Sequence, residues 1–309
     1  MLRAWSGLPG VEAWFDRASQ TVGTDLMAHG ISSDAETIRD TAVAQPLLVA
    51  TALASLRAVL GDLGSPWPAL TQGTVDLVAG HSVGELAAAA VSGLVDEDDA
   101  LRLVAVRGRA MAQAATASAP TGMSAVVGGD PDEVLTRLAE LGLTPANVNG
   151  GGQVVAAGAL DRLAELSAAP PARARVIPLQ VAGAFHTEVM APAVDALAAT
   201  AASVTPREPG PVLLGNADGA QVTDAADGLA RLVAQVARPV RWDLCAATMV
   251  GLGVTGLLEL APGGVLTGLA RRGLPGVETV ALKSPDDIDA ARDLIARHAG
   301  TAPSRQENP

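Results

Sequence analysis

Tyrosine is absent from this chain, and two phenylalanines and four tryptophans hold the aromatic share to 2% of 309 residues. A core short of rings must be built from Leu, Val and Ala, whose small side chains let helices approach a sheet closely and so favour an α/β architecture. Cysteine occurs once, at Cys245, which excludes a disulfide framework and a cysteine-cluster metal site. Lysine also occurs once, at Lys283, so the basic side chains are almost all arginine. Cationic excess is lacking too: the formal net charge is -12, which argues against nucleic-acid binding, because that affinity rests on neutralising phosphates. Residues 1–15 are interrupted by Arg3, Gly7, Pro9 and Glu12 and lack the continuous apolar stretch of a signal peptide. No later run reads as a membrane span, and a soluble, cytoplasmic protein is expected. What is present is enough for a full core: 49% of the residues are hydrophobic, suiting one large domain or two compact ones.

Helix-like and strand-like segments alternate. The pattern predicts helices over 11–29 and 44–60, an apolar strand over 75–79, an alanine-rich helix over 86–91 and a long helix over 96–115. The acidic first turn of that long helix, Asp96 to Asp99, complements the helix dipole. From Met123 the order becomes strand 123–127, helix 131–141, strands 146–149 and 153–157, helix 159–168 and strand 175–179. This β-α-β-β-α-β order is a ferredoxin-like unit, and the Gly and Pro clusters around it mark an insertion. Beyond it come a helix over 192–202, a strand over 212–214, a helix over 228–237, a buried strand over 256–260 and a closing helix over 285–298 capped by Ser284. The domain reading is a discontinuous catalytic subdomain, 1–122 with 180–300, an inserted unit, 123–179, and a polar, disordered tail, 301–309.

Gly80-His81-Ser82-Val83-Gly84-Glu85 stands between the strand and the alanine-rich helix. A nucleophile elbow needs this setting: a sharp strand-to-helix turn holds a serine Oγ clear of the backbone, and a Cβ at either glycine is expected to clash. Ser82 is therefore the candidate nucleophile. It needs a base, and four histidines are available. His81 should point away from Ser82 by strand alternation and reads as packing. His29 precedes Gly30 at a helix end, and His298 sits in a last helical turn, where capping and dipole complementation suffice. His186 lies in the small-residue loop Val181-Ala182-Gly183-Ala184-Phe185-His186-Thr187 between a strand and a helix, a position from which catalytic groups project over an α/β sheet. On the long helix Arg107 falls on the apolar stripe, three beyond Val104 and four before Met111, while Arg102 and Arg109 share another face. A guanidinium there must find an anion or acceptors. Two readings stand: a salt bridge to a protein carboxylate, or bidentate capture of a substrate carboxylate.

These residues resemble a family. The elbow, Arg107-Gly108 with Met111, Asn147-Val148-Asn149 before Gln153-Val154-Val155, Gly183-Ala184-Phe185-His186, Gln235 ahead of Pro239-Val240-Arg241-Trp242, and the run from Glu259 to Leu269 together resemble malonyl-CoA:acyl carrier protein transacylase and the similar acyltransferase domains of polyketide synthases. The resemblance implies an α/β-hydrolase-like large subdomain with a parallel sheet, carrying the ferredoxin-like insert. It implies that Ser82 is acylated by malonyl-CoA, that His186 takes and returns the proton, and that Arg107 holds the free carboxylate. The backbone carbonyl of Gln235 would orient His186. The N-H of Val83 would serve the oxyanion hole, and Phe185 and Met111 would line the acyl pocket. The implied partners are malonyl-CoA and an acyl carrier protein; no cofactor or metal is implied, and a monomer is expected.

The family opens with a buried strand and a Gly-Gln-Gly-type loop that supplies a second oxyanion N-H, and that pattern does not occur after Met1. The expectation is a start upstream of Met1, or else a weakened chain. Two other functions remain open: a carrier-protein-binding homologue without activity, and an α/β-hydrolase esterase pairing Ser82 with His298. Transfer of malonyl to a thiol, its hydrolysis, or neither would separate the three.

Overall fold

The computed structural model describes residues 2–300; Met1 and the predicted tail 301–309 lie outside the described residues. Its strands are β1 (Leu77–Val78), β2 (Thr121–Gly128), β3 (Thr144–Gly150), β4 (Gln153–Ala159), β5 (Ala174–Pro178), β6 (Val212–Leu213), β7 (Val240–Arg241), β8 (Gly256–Glu259) and β9 (Glu278–Ala281). β2 to β5, with helices Pro131–Glu140 and Leu160–Ala168, form the anticipated ferredoxin-like unit in the sheet order β5-β2-β4-β3. Thr121 pairs with Ala159 and Val127 with Gln153 along its antiparallel centre. β7, which the sequence pattern does not predict, pairs in parallel with β3 through Asn147–Val240 and Val148–Arg241, so the inserted sheet is continued by a strand of the larger subdomain.

The larger subdomain is α/β-hydrolase-like, and its parallel pairs are short: β1 with β6 and β8 with β9. A cavity of about 590 Å³ lies between these pairs, lined by Leu77, Val78, Leu257 and Leu258 among others. The strand over 256–260, expected to be buried, is therefore half-buried over Gly256 to Leu258, and only Glu259 is closed off.

Helices Thr41–Leu60 and Glu97–Ala117 cross the main core. By length and composition alone Thr41–Leu60, with a window of mean hydropathy 1.6, is long and apolar enough to match a membrane span, which differs from the expectation that no later run reads as one. Its apolarity is used inside the molecule, where 67% of that window is buried. Glu97, expected only to complement a helix dipole, instead ties three elements together: it accepts from Arg57 at 2.8 Å and from Trp14 Nε1 at 3.1 Å. The predicted helix over 11–29 is two helices, Val11–Val22 and Leu26–Ser32, because Gly23 turns left-handed with φ 71° and ends the first. At the other end the Ser284 cap is present as a reciprocal capping box with Asp287.

Candidate active site

β1 runs into the elbow and the helix Gly84–Ser92 leaves it. The turn closes so tightly that a Cβ on Gly80 would lie 2.0 Å from the carbonyl of Gly84, so only glycine fits. Gly84 differs from expectation: a Cβ placed on it would meet nothing within 4 Å, because the residue opens a helix that faces free space there. Ser82 takes φ 53°, which lifts its Oγ off the turn. The Val83 N-H is next to the helix N-terminus, where unpaired donors and the dipole favour negative charge.

His186 Nε2 is 2.6 Å from Ser82 Oγ. Its Nδ1 faces two backbone carbonyls, Gln235 at 3.0 Å and Arg238 at 3.2 Å. Carbonyls only accept, so the proton sits on Nδ1 and Nε2 is left to accept from the serine hydroxyl. Burial, with the nearby Arg107 charge, pushes the imidazole pKa down to about 3, and the ring is neutral at physiological pH.

Arg107 is buried and comes from the helix Glu97–Ala117. It donates to Gln45 Oε1, to Gln235 Oε1 at 2.9 Å and to Ser82 Oγ at 3.2 Å. Among the described residues no carboxylate is in salt-bridge contact with it; buried Glu85 bears on its charge through space, with the Gln235 amide bonded to both. Burial lowers the Arg107 pKa to about 10, leaving it charged at neutral pH. Met111, one turn further along the same helix, is buried and accepts from Gln45 Nε2 through its sulfur at 3.3 Å; it backs Arg107's partner. Phe185 is half-buried beside His186.

Beneath the elbow lies a polar cluster that joins Glu85 of the elbow motif and Gln235 to Asn216, which no motif in the sequence marks. Asn216, just past β6, accepts from the Ser82 N-H at 2.8 Å and donates Nδ2 to Gly80 O at 2.7 Å, stapling both arms of the turn. Glu85 is fully buried, accepts from the Asn216 N-H at 2.8 Å, and also accepts from Gln235 Nε2. Desolvation raises its pKa to about 7. Gln45 was findable by the reasoning that singled out Arg107, as an amide beside Pro46 on an apolar helix. Asn216 follows a strand two residues long and carried no periodic signal.

The remaining histidines stay outside this chemistry. His81 packs near Trp242, ring centroids 5.6 Å apart, and its Nε2 is 2.8 Å from Asn149 Oδ1 on β3. His29 Nδ1 meets Ser33 Oγ at 2.9 Å, and His298 lies beside Thr255 and Glu278. Among the described residues, no group of three His, Cys, Asp or Glu side chains is placed to hold a metal.

A serine on an elbow, a neutral imidazole held by backbone carbonyls and a buried arginine with no carboxylate in direct contact form a candidate serine acyl-transfer site of the α/β-hydrolase-like class. Residues 15–213 match the acyl transferase domain family. The chain is 48% identical over 294 residues, 95% of each sequence, to the malonyl CoA-acyl carrier protein transacylase of Mycobacterium tuberculosis. Its structure matches the crystal structure of MCAT from Mycobacterium tuberculosis with a TM-score of 0.88 over 94% of each chain. It also matches, at 30% identity and a TM-score of 0.82 over 95% of this chain and 94% of the other, a malonyl-transacylase in complex with a type II PKS acyl-carrier protein. The chain belongs to the malonyl CoA-acyl carrier protein transacylases of the acyl transferase family.

Proposed function

We propose that this protein moves a malonyl group from malonyl-CoA to the phosphopantetheine thiol of an acyl carrier protein, in fatty acid or polyketide synthesis, through an ester on Ser82. His186 Nε2 takes the hydroxyl proton as Ser82 Oγ attacks the thioester carbonyl. The developing oxyanion meets the Val83 N-H at the helix N-terminus. As the tetrahedral adduct collapses, the imidazolium returns its proton to the departing CoA sulfur. The carrier thiol then gives its proton to His186 and attacks the ester, and Ser82 recovers its proton as the malonyl group leaves.

The observation that carries the malonyl reading is the company of Arg107. Its directed partners are two carboxamides and a hydroxyl, all neutral. They fix the guanidinium in place while leaving its charge for an incoming carboxylate, and desolvation makes that pairing strong. An acyl group without a carboxylate leaves the charge unanswered. Phe185, adjacent in the chain to His186, is the ring this reading assigns to limiting branching at the acyl α-carbon.

Intact-mass measurement after mixing with malonyl-CoA, then with carrier protein, tests the reading. One malonyl adduct that moves to the carrier is expected. Hydrolysis without transfer would instead identify an esterase, and the absence of any adduct would identify a binding homologue.

A further inference from the structure

Gln235 touches every reacting part of the site. Its backbone carbonyl receives the His186 Nδ1 proton at 3.0 Å. Its side-chain Oε1 accepts from Arg107 Nη2 at 2.9 Å. Its Nε2 donates to the Ser82 carbonyl at 2.8 Å and to the Glu85 carboxyl group, with Asn216 Oδ1 at 3.2 Å. The residue is buried and opens a short 3-10 turn, Gln235–Ala237, directly after the helix Ala225–Ala234. One residue therefore spans base, nucleophile turn and guanidinium, the first through its backbone carbonyl and the other two through its side-chain carboxamide.

We propose that the Gln235 side chain is a specificity-determining positioning residue, which holds Arg107 ready for the acyl carboxylate and links that capture to the backbone carbonyl orienting His186. The inference rests on the malonyl reading above and goes beyond the backbone role of this residue. A carboxamide suits the task where a carboxylate would not. Glutamate at this place would pair with Arg107 and cancel the charge the substrate needs. The amide fixes the guanidinium with a neutral oxygen, and its own N-H end is anchored on Glu85 and the elbow. Glu85 bears on Arg107 through space, and the amide bonded to both keeps them from closing into a salt bridge, in a buried chain whose hydrogen bonds polarise one another. Asn216, which staples the elbow, takes its backbone N-H to the same Glu85, so the turn and the guanidinium share one anchor.

The test compares acylation of Ser82 by malonyl-CoA and by acetyl-CoA in the wild type, Gln235→Leu and Gln235→Glu, each also in an Arg107→Ala background. Gln235→Leu keeps the backbone carbonyl and should lower the malonyl-to-acetyl ratio of kcat/KM about tenfold or more, as expected for losing a hydrogen bond to a charged group. Gln235→Glu supplies a competing carboxylate and should raise KM for malonyl-CoA more than it lowers kcat. Neither change should alter the acyl ratio once Arg107 is Ala, because the two residues act as one unit. Equal slowing of both acyl groups would reduce Gln235 to a structural role and overturn the proposal, as would an unchanged ratio. If Gln235→Leu does not fold, the KM-against-kcat split in Gln235→Glu decides. A wild-type protein that accepts no malonyl group removes the function itself; a malonylated wild type whose selectivity survives both variants removes this inference alone.

Discussion

Ser82 and His186 meet at 2.6 Å, and both hold left-handed backbone, φ 53° and φ 61°. Among the described residues only Arg173 shares that property without being glycine. Such conformations cost on the order of 1 kcal/mol or more each, and they persist where surrounding contacts over-determine them. Here Asn216 pins the Ser82 N-H and two carbonyls hold the His186 ring. Ser82→Ala should abolish the malonyl adduct seen by intact mass. His186→Ala should slow acylation by about 10² or more. An adduct persisting in Ser82→Ala would place the nucleophile elsewhere.

Arg107→Ala should remove roughly 2 to 5 kcal/mol of malonyl recognition, as for truncating one partner of a buried charged pair. Acetyl-CoA use should be kept or improved, since acetyl offers no carboxylate. Steady-state kcat/KM for the two thioesters measures this; equal losses would mean that Arg107 is needed for structure alone.

The two elbow glycines should separate sharply. A Cβ at Gly80 meets the Gly84 carbonyl at 2.0 Å, so Gly80→Ala should collapse the turn and lower both melting temperature and acylation. Gly84→Ala enters open space at a helix start and should be tolerated, with a stability gain of up to about 1 kcal/mol from helix propensity. Thermal unfolding of the two variants checks the contrast, and equal destabilisation would contradict the geometry.

Two buried groups give opposite pH signatures. The His186 pKa falls from 6.5 to about 3, so below pH 6.5 the unfolded chain binds a proton the folded site refuses. Its contribution to stability is flat above 6.5 and declines as pH drops toward 3. Acylation should accordingly show no inflection near 6.5 from this base. The Glu85 pKa rises from 4.5 to about 7, so its contribution declines as pH climbs from 4.5 to 7 and is flat above. An inflection near pH 7 in the acylation rate would belong to Glu85 and should vanish in Glu85→Gln. Its persistence in that variant would assign it to another group.

Carrier docking should depend on local arginines, because an acidic carrier is repelled by a chain of net charge -12. Arg271 and Arg272 are exposed on the helix Val265–Gly273, and Arg272 lies against the Gly151 turn of the inserted sheet. Arg173 and Arg175 are exposed at and beside β5. Charge reversal of either pair should raise the apparent KM for the carrier protein and change that for malonyl-CoA little. Unchanged carrier kinetics in both would mark these arginines as ordinary solvated surface.

Much of this protein was legible in its residues because the signals are local. The elbow is written in consecutive residues, with a glycine that the turn geometry demands at Gly80. The ferredoxin-like unit follows from alternation and turn glycines, each sensed within a few positions. Arg107 announced itself as a charge on an apolar helical stripe, and His186 as the histidine in a small-residue loop between elements. Only the tertiary structure decided what surrounds them. Helix Thr41–Leu60 looks fit for a lipid bilayer by composition and is instead a core helix, because burial in protein and burial in lipid select the same side chains. β7 is two residues long and exists through pairing with β3, which no local pattern encodes. Gln45, Glu85, Asn216 and Gln235 come from four separate segments and converge under one serine. Whether Arg107 was answered by a carboxylate or by amides depended on which residues folding brought to it, and hydrogen-bond partners more than a hundred positions apart, such as Arg107 and Gln235, leave no periodic trace in the chain.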